Sequence, residues 1–278
     1  MDTIELQINL DPKRPWSEIL VAELSDLGFD SFVETETGIL AYGDATLNVE
    51  EILNQTSLND GFEGKSDVTH KIIPHQNWNA QWESDFQPVL VEDYASILAP
   101  FHDKSVAKGV VATIQPQMSF GTGHHQTTWM MTKALFELPK MPDNVLDMGT
   151  GTGVLAIFAE KLGATEILAI DIEDWSAENA MENAKLNNCT QIEVKCGDID
   201  LVPNAGFGLI IANINKNILK AQMPTYAESM ALDGVLLLSG FFNSDVEEMI
   251  DFCAPFNLIL EKRFQKDEWA ALQLTKTK

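Results

Sequence analysis

Residues 145–157 read VLDMGTGTGVLAI: a short apolar run closed by an acidic residue, three glycines at alternate positions, then a second apolar run. The first run, with Asn144 before it, is predicted as a buried strand NVLDM, and VLAIFAEKLG as the helix that follows. A strand that passes through glycines into a helix is the ligand-facing turn of an open parallel sheet, because ligands bind outside the carboxyl ends of such strands. Glycines at this turn take positive φ angles and let a ligand approach the backbone. Three of them behind Asp147 are more than a tight turn alone needs.

Outward from this turn the pattern repeats. From about residue 96 strands and helices alternate, the signature of a parallel sheet with crossover helices. The expected strands are NVLDM, EILAID, IEVKC, FGLIIAN and GVLLLSG, with helical stretches such as WSAENAMENAKLNN between them. The end, NLILEKRFQKDEWAALQLT, reads as two strands joined by a short polar turn, an antiparallel hairpin on the edge of the sheet.

Two ligands fit the glycine turn. Gly151, Gly153 and Ala156 satisfy the dinucleotide pattern G-x-G-x-x-G/A, with Asp171 about 20 residues on for a ribose. Asp147, directly before the glycines, would stand close to a pyrophosphate. S-adenosylmethionine carries no phosphate and two cationic groups, so it tolerates that carboxylate, and it is favoured over NAD. Asp171, ending the second strand, would accept from both ribose hydroxyls, and Asp198 in CGDID would meet an adenine amino group. Asn213, at the end of FGLIIAN, can offer its side-chain carbonyl to a nucleophilic amine. The Asn-Ile-Asn there has no Pro-Pro-aromatic run to stack a flat amide or base, which favours a flexible aliphatic amine.

Composition narrows the class further. The chain has 278 residues, 45% of them hydrophobic, enough for a sizeable core and for two domains. Its 42 acidic and 18 basic residues give a net charge of -24. A field of this sign repels phosphate, so no direct nucleic-acid contact is expected. It would attract basic protein partners or cationic small molecules, or it serves solubility alone. The start, MDTIELQINLDPKRPW, shows no basic segment followed by an apolar one, and no apolar run approaches membrane-spanning length, so a cytoplasmic protein is expected. Cys189, Cys196 and Cys253 form no metal or disulfide pattern and read as reduced structural thiols, and His124 and His125, adjacent in sequence, cannot share a helix face, so no metal site is expected.

The first 60 or so residues read as a βαββα unit: TIELQINL alternates, WSEILVAELSDLGF has helical spacing, SFVETET and GILAYG form a hairpin, and NVEEILNQ is a second helix. TSLNDGFEGKSD reads as a loop. In NWNAQWESDFQPVLV, Trp78, Trp82 and Phe86 recur every four residues, a helix that docks by its aromatic stripe. A polar, glycine-rich loop, MSFGTGHHQTT (118–128), lies some twenty residues before the glycine turn and is suited neither to a core nor to phosphate binding.

The segments FGTGHHQTT, VLDMGTGTGVLAI, IIANI and EWAALQLTK together resemble the bacterial ribosomal protein L11 methyltransferase (PrmA) family, and NWNAQWESDFQPV is similar to that family's N-W-x-x-x-W-x-x-x-F-x-P segment. The similarity runs from about residue 70 to the end, with FGTG-x-H-x-TT its most specific part. Two departures are visible: QPQM stands where the family has Asp-Pro-Gly, and INKN follows Asn213. The resemblance implies an α/β class I methyltransferase with a Rossmann-like sheet and an antiparallel C-terminal hairpin, behind a small α+β ferredoxin-like domain. Residues 1–62 would be the substrate-recognition domain, 63–95 a linker with the Trp-rich helix, and 96–278 the S-adenosylmethionine-dependent methyltransferase domain.

It further implies trimethylation of the N-terminal amine and lysine side chains of L11, a basic large-subunit protein, by a monomer. Asn213 would be catalytic. Phe120, Thr128, Gly149, Gly151, Asp171 and Asn213 would contact the methyl donor, with FGTGHHQTT covering it. His125 matches the family's histidine, either for chemistry or for bracing the loop. A methyltransferase for another amine, or a non-enzymatic module that binds the methyl donor, are the alternatives.

Overall fold

A computed structural model describes residues 2–74, 83 and 85–278. The chain forms two units, Met1–Asp85 and Phe86–Lys278.

In the first unit β1 (Thr3–Asp11), α1 (Trp16–Asp26), β2 (Phe29–Glu34), β3 (Gly38–Asp44), α2 (Val49–Leu53) and β4 (Lys65–Ile73) build a four-stranded sheet in the order β2-β3-β1-β4. β1 is antiparallel to both neighbours. Its alternation is what the pattern TIELQINL dictates: Ile4, Leu6, Ile8 and Leu10 share one face and pack with Leu20, Leu24, Val49 and Ile52 into one core. Asn48 caps α2 by accepting from the Glu51 N–H. This order, with β1 central and two helices on one face, is the expected ferredoxin-like arrangement.

The expected linker over 63–95 is not what this stretch forms. Lys65–Ile73 is the fourth strand of the N-terminal sheet, in register with β1 through pairs such as Leu6 with His70. It is an edge strand whose side chains are almost all exposed, so backbone pairing to a distant strand holds it and no alternation marks it in the sequence. At the other end of the stretch, strands begin before residue 96, in the second unit. Trp78 and Trp82 of the expected Trp-rich helix lie outside the described residues. Phe86 is described, and its ring meets Phe101, His102 and His124.

The second unit opens with β5 (Val89–Val91), β6 (Ala95–Leu98) and β7 (Val110–Thr113), a small separate sheet that the strand–helix rhythm did not reveal. There follow α3 (Gln126–Phe136), β8 (Asn144–Met148), α4 (Val154–Lys161), β9 (Glu166–Asp171), α5 (Asp174–Leu186), β10 (Ile192–Cys196), β11 (Phe207–Asn213), α6 (Lys216–Ser229), β12 (Met230–Phe242), α7 (Val246–Cys253), β13 (Leu258–Lys266) and β14 (Trp269–Lys276). The seven-stranded sheet runs β10-β9-β8-β11-β12-β14-β13. β8 to β12 are mutually parallel, while β14 is antiparallel to both β12 and β13. The expected strands and the closing hairpin are all present.

Each face of this sheet carries its own core, one including Phe158, Leu155 and Met131, the other Leu236, Tyr226 and Met223. Strand order reverses beside β8: the chain goes first to β9 and β10 on one side, then crosses to β11 on the other. That switch point opens a crevice at the carboxyl end of β8, where a ligand is expected. Among the described residues no helix is long and apolar enough to cross a membrane. All three cysteines are free; Cys253 is buried, as a structural thiol should be, whereas Cys196 is exposed.

Candidate active site

The glycine turn folds over the end of β9. The N–H groups of Gly149 and Thr150 both donate to the Ile170 carbonyl, at 2.8 and 3.0 Å. Gly149 and Gly151 have φ of +72° and +56°. A side chain is excluded at both: a Cβ on Gly149 would lie 2.1 Å from Ile214 Cγ2, and one on Gly151 2.2 Å from the Phe120 carbonyl. Glycine is therefore required here for the conformation and for the close approach of two other segments.

Asp171 locks the turn from the neighbouring strand. Its carboxylate accepts from Gly151 N–H at 2.8 Å and from Glu173 N–H at 3.1 Å, one bond to each oxygen. The residue is 8% exposed. Each oxygen keeps a lone pair for a further donor, so the expected role toward two ribose hydroxyls stands as a proposal with a geometry that permits it.

The loop Met118–Thr128 is fastened to the turn by Thr152, whose N–H donates to the Phe120 carbonyl (2.9 Å) and whose hydroxyl donates to the Gly121 carbonyl (2.8 Å). His125 caps α3: its Nδ1 lies 2.8 Å from Thr127 Oγ1 and accepts from Thr127 N–H at 3.3 Å. Its ring sits edge-on to Trp269, centroids 4.6 Å apart, and 5.1 Å from Phe120. Burial pushes the imidazole below its ordinary pKa. A ring that caps the helix and packs between Phe120 and Trp269 is placed to brace the loop.

Between these parts lies a cavity of about 750 Å³, a size suited to a nucleoside-bearing small molecule. Of the expected site residues, Phe120, Gly149, Gly151, Asp171 and Asn213 line it together. Thr128 is not on its wall; it is buried on α3 with Oγ1 unpartnered. Asp198 lines the cavity as expected. Asn213 ends β11, whose pairing with β8 and β12 fixes its position. Its Oδ1 is buried without a hydrogen-bond partner, an acceptor for a ligand's N–H.

Asp147 differs from expectation. It does not reach the cavity but is enclosed under the turn, 1% exposed, with Thr150 Oγ1 donating to its Oδ2 at 2.6 Å. Burial is the largest influence on its carboxyl, which is pushed up to about 7. Its ordinary value in an unfolded chain is about 3.9. Between these values the unfolded chain releases this proton while the folded chain keeps it. The group's favourable contribution is therefore complete below about pH 4 and lost as pH rises through about 7. Asp147→Asn should flatten the fall of the urea midpoint over that window; two parallel curves would mean that Asp147 is ionised throughout.

Part of the wall lies outside the motifs. Ile172 and Trp175, 64% and 49% exposed, line the cavity beside Asp171. Their signal was there to find: apolar residues at the exposed start of a helix directly behind a binding aspartate. A row of aromatic rings also runs from Phe120 through His125 and Trp269 to Phe242, the last pair 4.5 Å apart. Phe120 and His125 are read from FGTGHHQTT and Trp269 stands in EWAALQLTK, whereas Phe242, at the end of β12, carries no signal of its own.

The electrostatics separate the two ligands weighed from the sequence. Asp171, Glu173 and Asp198 line the cavity, and no lysine, arginine or histidine is among its described lining residues. A pyrophosphate would meet carboxylates with no cation to balance it, whereas a sulfonium and an ammonium would be stabilised. The residues present fit S-adenosylmethionine: a cavity of sufficient volume, backbone exposed at two glycines, and a buried unpartnered acceptor in Asn213.

The family described as ribosomal protein L11 methyltransferase (PrmA) matches residues 18–277. The chain is 41% identical over 264 residues to the ribosomal protein L11 methyltransferase of Porphyromonas gingivalis, spanning 93% of this chain and 90% of that one. It is 36% identical over 275 residues to the protein of that name from Chlorobaculum tepidum, 96% and 94% of the two chains. Among solved structures it is similar to the crystal structure of ribosomal protein L11 methylase from Lactobacillus delbrueckii subsp. bulgaricus, at 27% identity and a TM-score of 0.64, covering 69% of this chain and 100% of that one.

Proposed function

The chain belongs to the ribosomal protein L11 methyltransferase (PrmA) family, and from this we propose that it transfers methyl groups from S-adenosylmethionine to the N-terminal amine and lysine side chains of L11, up to three on each nitrogen. The observation that carries the reading is the buried, unpartnered Oδ1 of Asn213 at the wall of an acidic cavity. On this reading Phe120, Gly149, Gly151, Asp171 and Asn213 hold the methyl donor, Thr128 supports them from α3, and the enzyme works in the cytoplasm as a monomer without contacting nucleic acid.

When bound, S-adenosylmethionine supplies a methyl group already activated on a sulfonium. The chain's own residues then have to align and dehydrate rather than activate. Asn213 Oδ1 accepts an N–H of the incoming amine and so aims its lone pair. The amine must be neutral to attack, while lysine has an ordinary pKa of about 10.4. The lining carboxylates favour the ammonium form, so the proton has to pass to solvent before the amine is enclosed among them. An acceptor on one side only leaves the amine free to rotate between transfers, as repeated methylation requires. Phe120, on the cavity wall, offers the methylated nitrogen an apolar, quadrupole-bearing face.

Incubating the protein with unmethylated L11 and labelled S-adenosylmethionine, with mass spectrometry of the product, tests the reading directly. Methyl groups on the N-terminal amine and lysines are expected. Tight binding of S-adenosylmethionine with no transfer to L11 would point to another amine, or to a non-enzymatic module. Asp171→Asn should keep the fold but weaken S-adenosylmethionine by roughly 1.5–3 kcal/mol, the worth of a hydrogen bond to a charged group. Unchanged affinity by calorimetric titration would remove Asp171 from the site.

The net charge of -24 should also steer a basic substrate. The association rate with L11 is expected to fall as salt rises from about 0.01 M to about 0.15 M, as the screening length shrinks from about 30 to about 8 Å. A salt-independent rate would leave the charge a solubility feature.

A further inference from the structure

We propose that Gln222 and Tyr226 are positioning residues that make this cavity selective for the 6-amino group of adenine, acting through the carboxylate of Asp198. The inference rests on the reading of the cavity as the methyl-donor pocket. Asp198 follows β10 and Gln222 lies on α6; both line the cavity. Asp198 Oδ1 accepts from Ile199 N–H at 2.7 Å and from Gln222 Nε2 at 3.0 Å. Both bonds fall on one oxygen, so the carboxylate is held from behind and Oδ2 is left as an acceptor.

The rest of the chain of bonds is forced by charge. A carboxylate only accepts, so the nitrogen of the Gln222 amide must face it and the amide oxygen must face away. That oxygen accepts from the Tyr226 hydroxyl at 2.5 Å. Tyr226 is one helical turn further on and fully buried, and Gln222 is 6% exposed. A buried hydroxyl needs a partner, and Gln222 provides it. Burial also pushes the Tyr226 hydroxyl above its ordinary pKa, so it stays a donor. Linked bonds of this kind polarise one another in a low-dielectric interior. The result is an otherwise exposed carboxylate fixed in one rotamer at the cavity wall.

Such an acceptor matches an exocyclic amino group, which donates, and opposes a carbonyl at the same ring position, which presents lone pairs. Adenine and hypoxanthine differ in that group. The test is binding of S-adenosylhomocysteine and of its 6-keto analogue, S-inosylhomocysteine, to the full-length protein by calorimetry. The wild-type chain should prefer the amino compound by about tenfold or more, the discrimination expected of one charge-assisted hydrogen bond.

Gln222→Leu should shrink that ratio at least about threefold by weakening the amino compound alone, and Asp198→Asn should abolish it. Tyr226→Phe, which keeps the ring's packing and guards against a folding defect in the first variant, should act in the same direction with a smaller effect. Equal weakening of both compounds by Gln222→Leu would make the network merely structural and overturn the inference, as would an unchanged ratio. A wild-type chain that binds the amino compound without discriminating would overturn it too. If the wild-type chain binds neither, the reading of the cavity itself fails and this inference with it.

Discussion

Asn213→Ala is expected to slow methyl transfer to L11 by about a hundredfold or more, the cost of losing alignment at the reacting atoms, while changing affinity for S-adenosylmethionine less than about tenfold. The side chain ends β11 in register with Ser239 of β12, with Ala212 beside Met148 of β8. Its backbone is thus held from both sides, and the substitution removes an acceptor without loosening the strand. The loss should also depend on which methyl group is being added. A neutral primary amine has two N–H bonds, a monomethylated one has one, and a dimethylated one has none. The defect should therefore be greatest for the first transfer and smallest for the third, and partial reactions of the variant should contain few mono- and dimethylated intermediates. Asn213→Asp gives a second handle. A carboxylate beside the amine favours the ammonium form, so that variant's pH–activity profile should be displaced to higher pH than wild type, whereas that of Asn213→Ala should keep the wild-type position. Wild-type turnover in both variants would remove Asn213 from the reaction.

What could be read from the sequence follows how local its cause is. The turn from Asp147 to Val154 is a chain-local object: strand, glycines and helix are consecutive, and Gly149 and Gly151 carry their positive φ as their own property. Four of the five parallel strands were equally legible, because a strand buried on both faces is a continuous apolar run; β10, IEVKC, is a partly exposed edge strand and was placed by the strand–helix rhythm. β4 was not, since its place depends on backbone pairing with β1 some sixty residues earlier and not on its own side chains. β5 and β6 escaped for a similar reason: Val89–Val91 and Ala95–Leu98 are very short, and the small sheet they make with β7 rests on pairing rather than alternation.

At the site, the residue types were legible and their orientations were not. Asp147 and Asp171 both end strands of the same sheet, yet one is closed under the turn and the other faces the cavity. The difference is set by Thr150, whose hydroxyl donates to Asp147, and by the Gly151 N–H, which donates to Asp171. Neither contact has a signature in spacing. The link from Asp198 to Gln222 joins residues on two elements that are brought together only when β11 has crossed over to the far side of β8.

Cutting the chain at its structural boundary should separate binding from recognition. The fragment Phe86–Lys278 contains every described residue that lines the cavity, both cores of the large sheet, and the small sheet β5-β6-β7. It should therefore bind S-adenosylmethionine within about threefold of the full chain, since no contact worth even 1 kcal/mol is lost. A cut at residue 64 would be a poorer choice, because it strands β4 without β1, its partner. Toward L11 the outcome should be the reverse. The N-terminal unit has its own core around Leu6, Ile8, Leu20 and Phe29 and, among the described residues, none on the cavity wall, which suits a module that holds the substrate while the other unit works. Removing it takes away the millimolar-range effective concentration that a tethered site supplies. A fall in kcat/KM on intact L11 of about a hundredfold or more is expected, with a much smaller loss on a short peptide bearing a single amine. Equal activity on intact L11 would mean that the second unit alone selects the target. Lost S-adenosylmethionine binding in a folded fragment would mean that the first unit completes the methyl-donor site.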